Sequence, residues 1–103
     1  MDEVYEDIGV TEFKALIGTE DTVLLDVRTP EEEIEGDIDG KQLINFSEPD
    51  FVDQIGRLER DKTYLVYCRS GNRSGQACRL MAQMGFKKAY NLAGGIKAWN
   101  QEL

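Results

Sequence analysis

Cys68 closes the apolar run Tyr64-Leu65-Val66-Tyr67 and opens the stretch Cys68-Arg69-Ser70-Gly71-Asn72-Arg73, with Ser74 next. Two arginines therefore stand one and five positions after a thiol, in a chain that is otherwise acidic. The thiolate, not the thiol, is the nucleophile. At an ordinary pKa of about 8.5, only ~3% of a cysteine is ionised at neutral pH. Lowering that value by ~2 units makes most of it thiolate and takes ~2.7 kcal/mol of differential stabilisation. Three sources are at hand. Arg69 and Arg73 supply charge. A helix beginning near Ser74 turns its positive dipole end toward the sulfur, worth up to ~2 kcal/mol when partly buried. Gly71 and its small neighbours let successive backbone N–H groups point inward as an anion nest. The same cradle suits an anion attached to the sulfur: a persulfide, an incoming thiosulfate or an oxyanion. The residues specify a nucleophilic cysteine acting on an anionic group and leave the substrate open.

Short apolar runs alternate with helix-like segments and would position that loop. "VYEDIGV" (4–10) reads as a short first strand or edge segment. Thr11 is an N-cap for a helix through Ile17, with Phe13, Leu16 and Ile17 on one face and Gly18 ending it. "TVLLDV" (22–27) has the continuous apolar character of a strand buried on both faces. Thr29 caps, Pro30 suits a first helical position, the glutamates suit a helix start, and Gly36 ends the turn. "QLINF" (42–46) is a third strand. "SEPDFVDQIGRL" (47–58) is a helix with Phe51, Val52, Ile55 and Leu58 on one face. "TYLVYC" (63–68) is another buried strand. "SGQACRLMAQM" (74–84) is a helix with Ala77, Leu80, Met81 and Met84 inward, ended at Gly85. "KAYNL" (88–92) is a last strand, Gly94 and Gly95 a turn, and "IKAWNQ" (96–101) a final helix with Ile96 and Trp99 inward. Such alternation predicts an α/β fold: a mostly parallel sheet of about five strands with helices on both faces. Ligands of such sheets bind beyond the carboxyl ends of the strands, where the "YLVYC" strand delivers Cys68.

The bulk numbers exclude several classes. A chain of 103 residues is the size of one domain, expected over residues 1–103. Its 41% hydrophobic content is enough for a core, and no repeat, low-complexity tract or linker interrupts it. The net charge of −8 disfavours nucleic acid and anionic membranes, and no basic stripe is present. With no histidine, zinc sites and Cys-His or Ser-His-Asp machinery are excluded, and neither a metal nor a cofactor is called for. Two cysteines are no disulfide framework. The acidic opening "MDEVYEDIGV" has no apolar signal-peptide region and no run reaches bilayer length, so a cytoplasmic setting is expected.

"LLDVRTPEE", "YLVYCRSGNRS" and "MGFKKAYNLAGGIKAW", in this order and over almost the whole chain, resemble a single-domain rhodanese of the sulfurtransferase family. The resemblance implies that Cys68 is catalytic and that Arg69, Ser70, Gly71, Asn72 and Arg73 form the substrate-binding loop. It implies that Cys68 takes a sulfane sulfur from a donor such as thiosulfate, becomes a persulfide, and passes the sulfur to cyanide or a thiol. Arg69 and Arg73 would attract the anionic donor. Asp26 and Arg28 match the family's "DVR" stretch and, with Ser74, are expected to organise the site rather than react. Phosphatases of this fold and of another place the arginine after five intervening residues. Here four lie between Cys68 and Arg73, and Ser74 holds the later position, which favours sulfur over phosphate or arsenate chemistry. A rival reading is a binding module or sulfur carrier that delivers its persulfide only to a protein partner.

Three residues depart from the family's pattern. Glu33 replaces an aromatic, Asp37 a histidine, and Lys41 a small residue. Elsewhere plain structural roles are expected. Cys78, Met81 and Met84 are core residues. Arg79 is a solvated helix charge, Trp99 a packing anchor, and Glu31 to Glu33 a solvated helix start. No exposed apolar face demands a dimer, so a monomer is expected.

Overall fold

A computed structural model of the chain describes residues 4–102, so the first three residues of the acidic opening lie outside it. Five strands form one parallel sheet: β1 (Tyr5–Ile8), β2 (Thr22–Asp26), β3 (Gln42–Leu43), β4 (Thr63–Tyr67) and β5 (Lys88–Leu92). Their order across the sheet is β1-β5-β4-β2-β3. Between them run α1 (Val10–Leu16), a 3-10 helix (Pro30–Glu35), α2 (Phe51–Gly56), α3 (Asn72–Gln83) and α4 (Gly95–Gln101). After β2 the chain crosses to β3 on one side, and after β4 it crosses to β5 on the other. The carboxyl ends of β2 and β4 therefore flank a point where the connections diverge, which is where an open parallel sheet leaves a crevice.

The two-residue period of a strand sorts the core into two layers. Tyr64, Val66 and Cys68 point to one face, packed with Leu25, Phe51, Ile55, Ala77, Cys78, Met81 and Phe86. Leu65 and Tyr67 point to the other, packed with Ile8, Phe13, Leu24, Leu92 and Ile96. Each fully buried apolar side chain contributes roughly 1.5–3 kcal/mol, so β4, buried along Tyr64–Tyr67, is the thermodynamic centre of the sheet. Cys68 continues its inward face.

The expected architecture is present, with local corrections. The first helix starts at Val10 with Gly9 at its N-cap, not behind Thr11, and Ile17 follows it in extended backbone at ψ 129°. The Pro30 segment is a 3-10 helix rather than an α-helix. The third strand shrinks to Gln42–Leu43, although Ile44 N–H and Phe46 N–H still reach the carbonyls of Asp26 and Val27. α2 is only six residues long, and Val52 lies outside its buried face, 52% exposed. α3 begins at Asn72, so Asn72 and Arg73 belong to its first turn instead of the preceding loop. Trp99 packs against the second core layer as the expected anchor, half-buried, with Lys14 Nζ 5.9 Å from its ring centre. Among the described residues, no helix is long and apolar enough to cross a membrane.

Candidate active site

Cys68 follows the last residue of β4 and is only 1% exposed. Its Sγ accepts hydrogen bonds from Gly71 N–H at 3.2 Å, Ser74 N–H at 3.4 Å and the Ser74 hydroxyl at 3.3 Å. The backbone curls this way because its carbonyls are held elsewhere. Ile96 N–H, in the first turn of α4, donates to the Cys68 carbonyl at 2.9 Å, and Lys97 N–H donates to that of Arg69 at 3.2 Å. This contact requires glycine at position 95. Its φ is +60°, and a Cβ there would lie 2.4 Å from the Arg69 carbonyl oxygen. Gly71, at φ +99°, makes the left-handed turn from the loop into α3.

Burial alone would raise the Cys68 thiol. The Ser74 hydroxyl outweighs it together with the N–H groups of Ser74, Gly71 and Ser70, and the thiol ends below its ordinary value. The lowering therefore comes from directed donors at the start of α3. The arginines, expected to carry much of it, are engaged elsewhere. Arg73 makes a bidentate pair with Glu32, both Nη to Oε distances being 2.7 Å. Arg69 Nε donates to Glu35 Oε1 at 2.8 Å. Glu32 is thus no solvated helix-start charge. Arg73 beside it, against a smaller opposing effect of burial, lowers its carboxyl to about 2. The Asn72 side chain turns away to accept from Gln76 Nε2 at 2.7 Å.

Ser74→Ala removes the strongest donor to the sulfur. The pH profile of Cys68 alkylation by iodoacetamide is expected to move to higher pH, with the rate at pH 7 falling about threefold to tenfold. An unmoved profile would remove Ser74 from the site.

Asp26 and Arg28, both fully buried, do not touch the sulfur. Asp26 accepts from Arg28 Nε and Nη2, each at 2.9 Å, and from Arg28 N–H. Arg28 Nη1 then reaches the carbonyls of Glu32 at 2.9 Å and Gly36 at 2.8 Å. This pair fixes the 3-10 helix whose glutamates hold the loop arginines. Two of the departing residues answer each other here: Lys41 Nζ bridges Asp26 Oδ2, at 3.1 Å, and the Glu33 carboxylate. Asp37 is simply exposed.

Sequence reasoning missed Asn91. It is 5% exposed, and its Oδ1 is the second acceptor facing the Ser74 hydroxyl, whose one proton is shared between it and Cys68 Sγ. Its Nδ2 donates to the Gly71 carbonyl at 3.1 Å and to Asp7 Oδ1 at 2.9 Å. A polar residue inside a strand that otherwise reads as core was the available signal. Cys78 lies in the core as expected, and burial pushes its thiol up to about 12. Arg79 is exposed, as expected, and its Nε also donates to the Tyr5 hydroxyl at 3.3 Å.

The chain matches the family model described as "Rhodanese-like domain" over residues 9–102. It is 44% identical over 85 residues to a protein named sulfurtransferase from Allochromatium vinosum, covering 82% of this chain and 77% of that one. It is also 33% identical to the tRNA uridine(34) hydroxylase of Nitrobacter winogradskyi, covering 89% of this chain but 38% of that longer protein. Among solved structures, a rhodanese-related protein from Thermoplasma volcanium superposes with a TM-score of 0.81 at 35% identity, covering 95% of this chain and 93% of that one. A loop cysteine cradled by N–H groups at the end of β4, a five-stranded parallel sheet and these likenesses agree: the chain belongs to the rhodanese-like domain family.

Proposed function

We propose that this chain is a sulfurtransferase that carries sulfane sulfur as a persulfide on Cys68. The observation that supports the reading most directly is the set of three donors converging on Cys68 Sγ. In the first half-reaction the Cys68 thiolate attacks the outer sulfur of thiosulfate or of a related persulfide. The S–S bond of the donor breaks, and sulfite or the carrier thiolate leaves with the electron pair. In the second, cyanide or a thiol attacks the outer sulfur of the Cys68 persulfide, taking it as thiocyanate or a new persulfide and returning the thiolate. The inward N–H groups that meet Sγ are suited to holding the negative outer sulfur between the two steps.

A second reading keeps the persulfide but gives it to a protein partner with little thiosulfate turnover. It draws on the pairing of both loop arginines with carboxylates and on Ile34, 92% exposed on the adjoining 3-10 helix. Incubation of the folded protein with thiosulfate, and separately with a small persulfide, is expected to add one sulfur atom to Cys68, read by intact mass. No gain with either donor would sink both readings. Hydrolysis of an aryl phosphate would instead favour phosphatase chemistry.

A further inference from the structure

A loop with two arginines beside a thiol reads as an anion trap, but the charges around this one are balanced by pairing. Arg73 lies against Glu32 through two contacts of 2.7 Å, and Arg69 against Glu35 at 2.8 Å. The carboxylates are held from behind. The Glu32 side chain also accepts from Thr29 N–H at 3.1 Å and the Thr29 hydroxyl at 3.2 Å. Arg28 fixes the carbonyls of Glu32 and Gly36, and Asn100 Nδ2 donates to the Glu35 carbonyl at 2.9 Å. A cation paired at this distance presents a dipole to an approaching ion, and its field falls off much faster than that of a free charge.

What remains is negative. Between Thr29 and Lys41 the chain carries Glu31, Glu32, Glu33, Glu35, Asp37 and Asp39. Only three of the six pair with the cations here, Glu32 with Arg73, Glu35 with Arg69 and Glu33 with Lys41, and Lys41 is also held by Asp26. Glu31, Asp37 and Asp39 are exposed. The whole chain adds its net −8. At low salt such a field reaches beyond ~10 Å and acts on the encounter itself.

We propose that Glu32 and Glu35 set the charge of the sulfur donor, so that the site takes its sulfur from a persulfide on a neutral or cationic carrier and disfavours dianionic thiosulfate and carboxylate-bearing carriers. The inference rests on the persulfide chemistry proposed above. The step is the same displacement: Cys68 thiolate bonds to the outer sulfur of the donor, the donor S–S bond breaks, and the carrier leaves as a thiolate that takes a proton from water. The carboxylate partners therefore act on which donor arrives.

Two small persulfides of matched size and opposite carrier charge isolate that effect: the persulfide of cysteamine, with an ammonium group, and that of 3-mercaptopropionate, with a carboxylate. Loading rates of Cys68 are read by quenched intact mass, with thiosulfate as a third donor. At low salt the cysteamine persulfide is expected to load about fivefold faster or more, the ratio falling toward one near 0.3 M salt, while thiosulfate loading speeds up as salt is added. Glu35→Gln is expected to lower the ratio of the two persulfide rates about twofold to threefold at low salt, and Glu32→Gln likewise. Should Glu32→Gln not fold, Glu35→Gln carries the test alone, because the Glu35 and Arg69 side chains are 39% and 52% exposed. Equal rates for the two persulfides, or thiosulfate loading that slows with salt, would overturn the charge preference while leaving the persulfide reading standing. Loading by no donor would overturn both.

Discussion

Replacing Cys68 by alanine is expected to lower sulfur transfer from thiosulfate to cyanide by about a thousandfold or more, to the rate of the uncatalysed reaction. The cradle offers no second nucleophile. Ser74 Oγ is engaged with Asn91, and the Cys78 thiol is raised to about 12 by burial, which leaves almost none of it ionised at neutral pH. Fold and activity separate cleanly in this variant. Removing one buried sulfur from a small side chain costs about 1 kcal/mol, well within the margin of an ordinary domain. Thiocyanate formation and urea unfolding measured on the same sample decide the matter. Transfer persisting in a folded Cys68→Ala protein would place the chemistry at another residue.

Arg28→Ala is expected to cost about 3–5 kcal/mol of stability, the largest loss from any polar substitution near the site. The side chain is fully buried and satisfies four acceptor positions: both Asp26 oxygens and the carbonyls of Glu32 and Gly36. It also lies over the Tyr67 ring at 5.3 Å. Truncation leaves Lys41 as the cation paired with the buried Asp26, with only the backbone N–H of residue 28 beside it, strips two carbonyls of their donor and opens a cavity. Arg28→Lys is expected to recover little, since one ammonium cannot span the planar fork that reaches a carboxylate and two carbonyls at once. Chemical denaturation of the three proteins measures this. A loss below about 1 kcal/mol for Arg28→Ala would show that the 3-10 helix is held by something else.

What the sequence made legible, and what it did not, divides by range. β5 matches the expected Lys88–Leu92 at both ends, and β4 is one residue shorter than expected. β4 is a continuous apolar run after Lys62, and β5 is a short, largely buried run set off by Lys87 and Lys88 before it and the Gly94-Gly95 turn after it, so local pattern and burial agree in both. The cradle was readable because its donors lie within six residues of Cys68. Glu32 and Glu35 were not, because their partners lie 41 and 34 positions away and only the tertiary fold brings them together. Lys41 and Glu33 looked like separate oddities and are one ion pair with Asp26. Val52 failed because a six-residue helix has too narrow a buried stripe to include it, and Thr11 failed because Gly9 already supplies the extended backbone that precedes the first turn.

The two cysteines share one core layer but their thiols are shifted in opposite directions, and for the proposed persulfide this bears on how long a loaded sulfur survives. A persulfide with an ionised thiol beside it is open to attack on its inner sulfur, which closes a disulfide and expels hydrosulfide. With its thiol pushed up to about 12 by burial, Cys78 stays almost wholly un-ionised at pH 7 and is a poor attacking group for such an exit. Under the proposed chemistry the stored sulfur waits for an external acceptor, its lifetime set by the solution around the protein rather than by an internal clock.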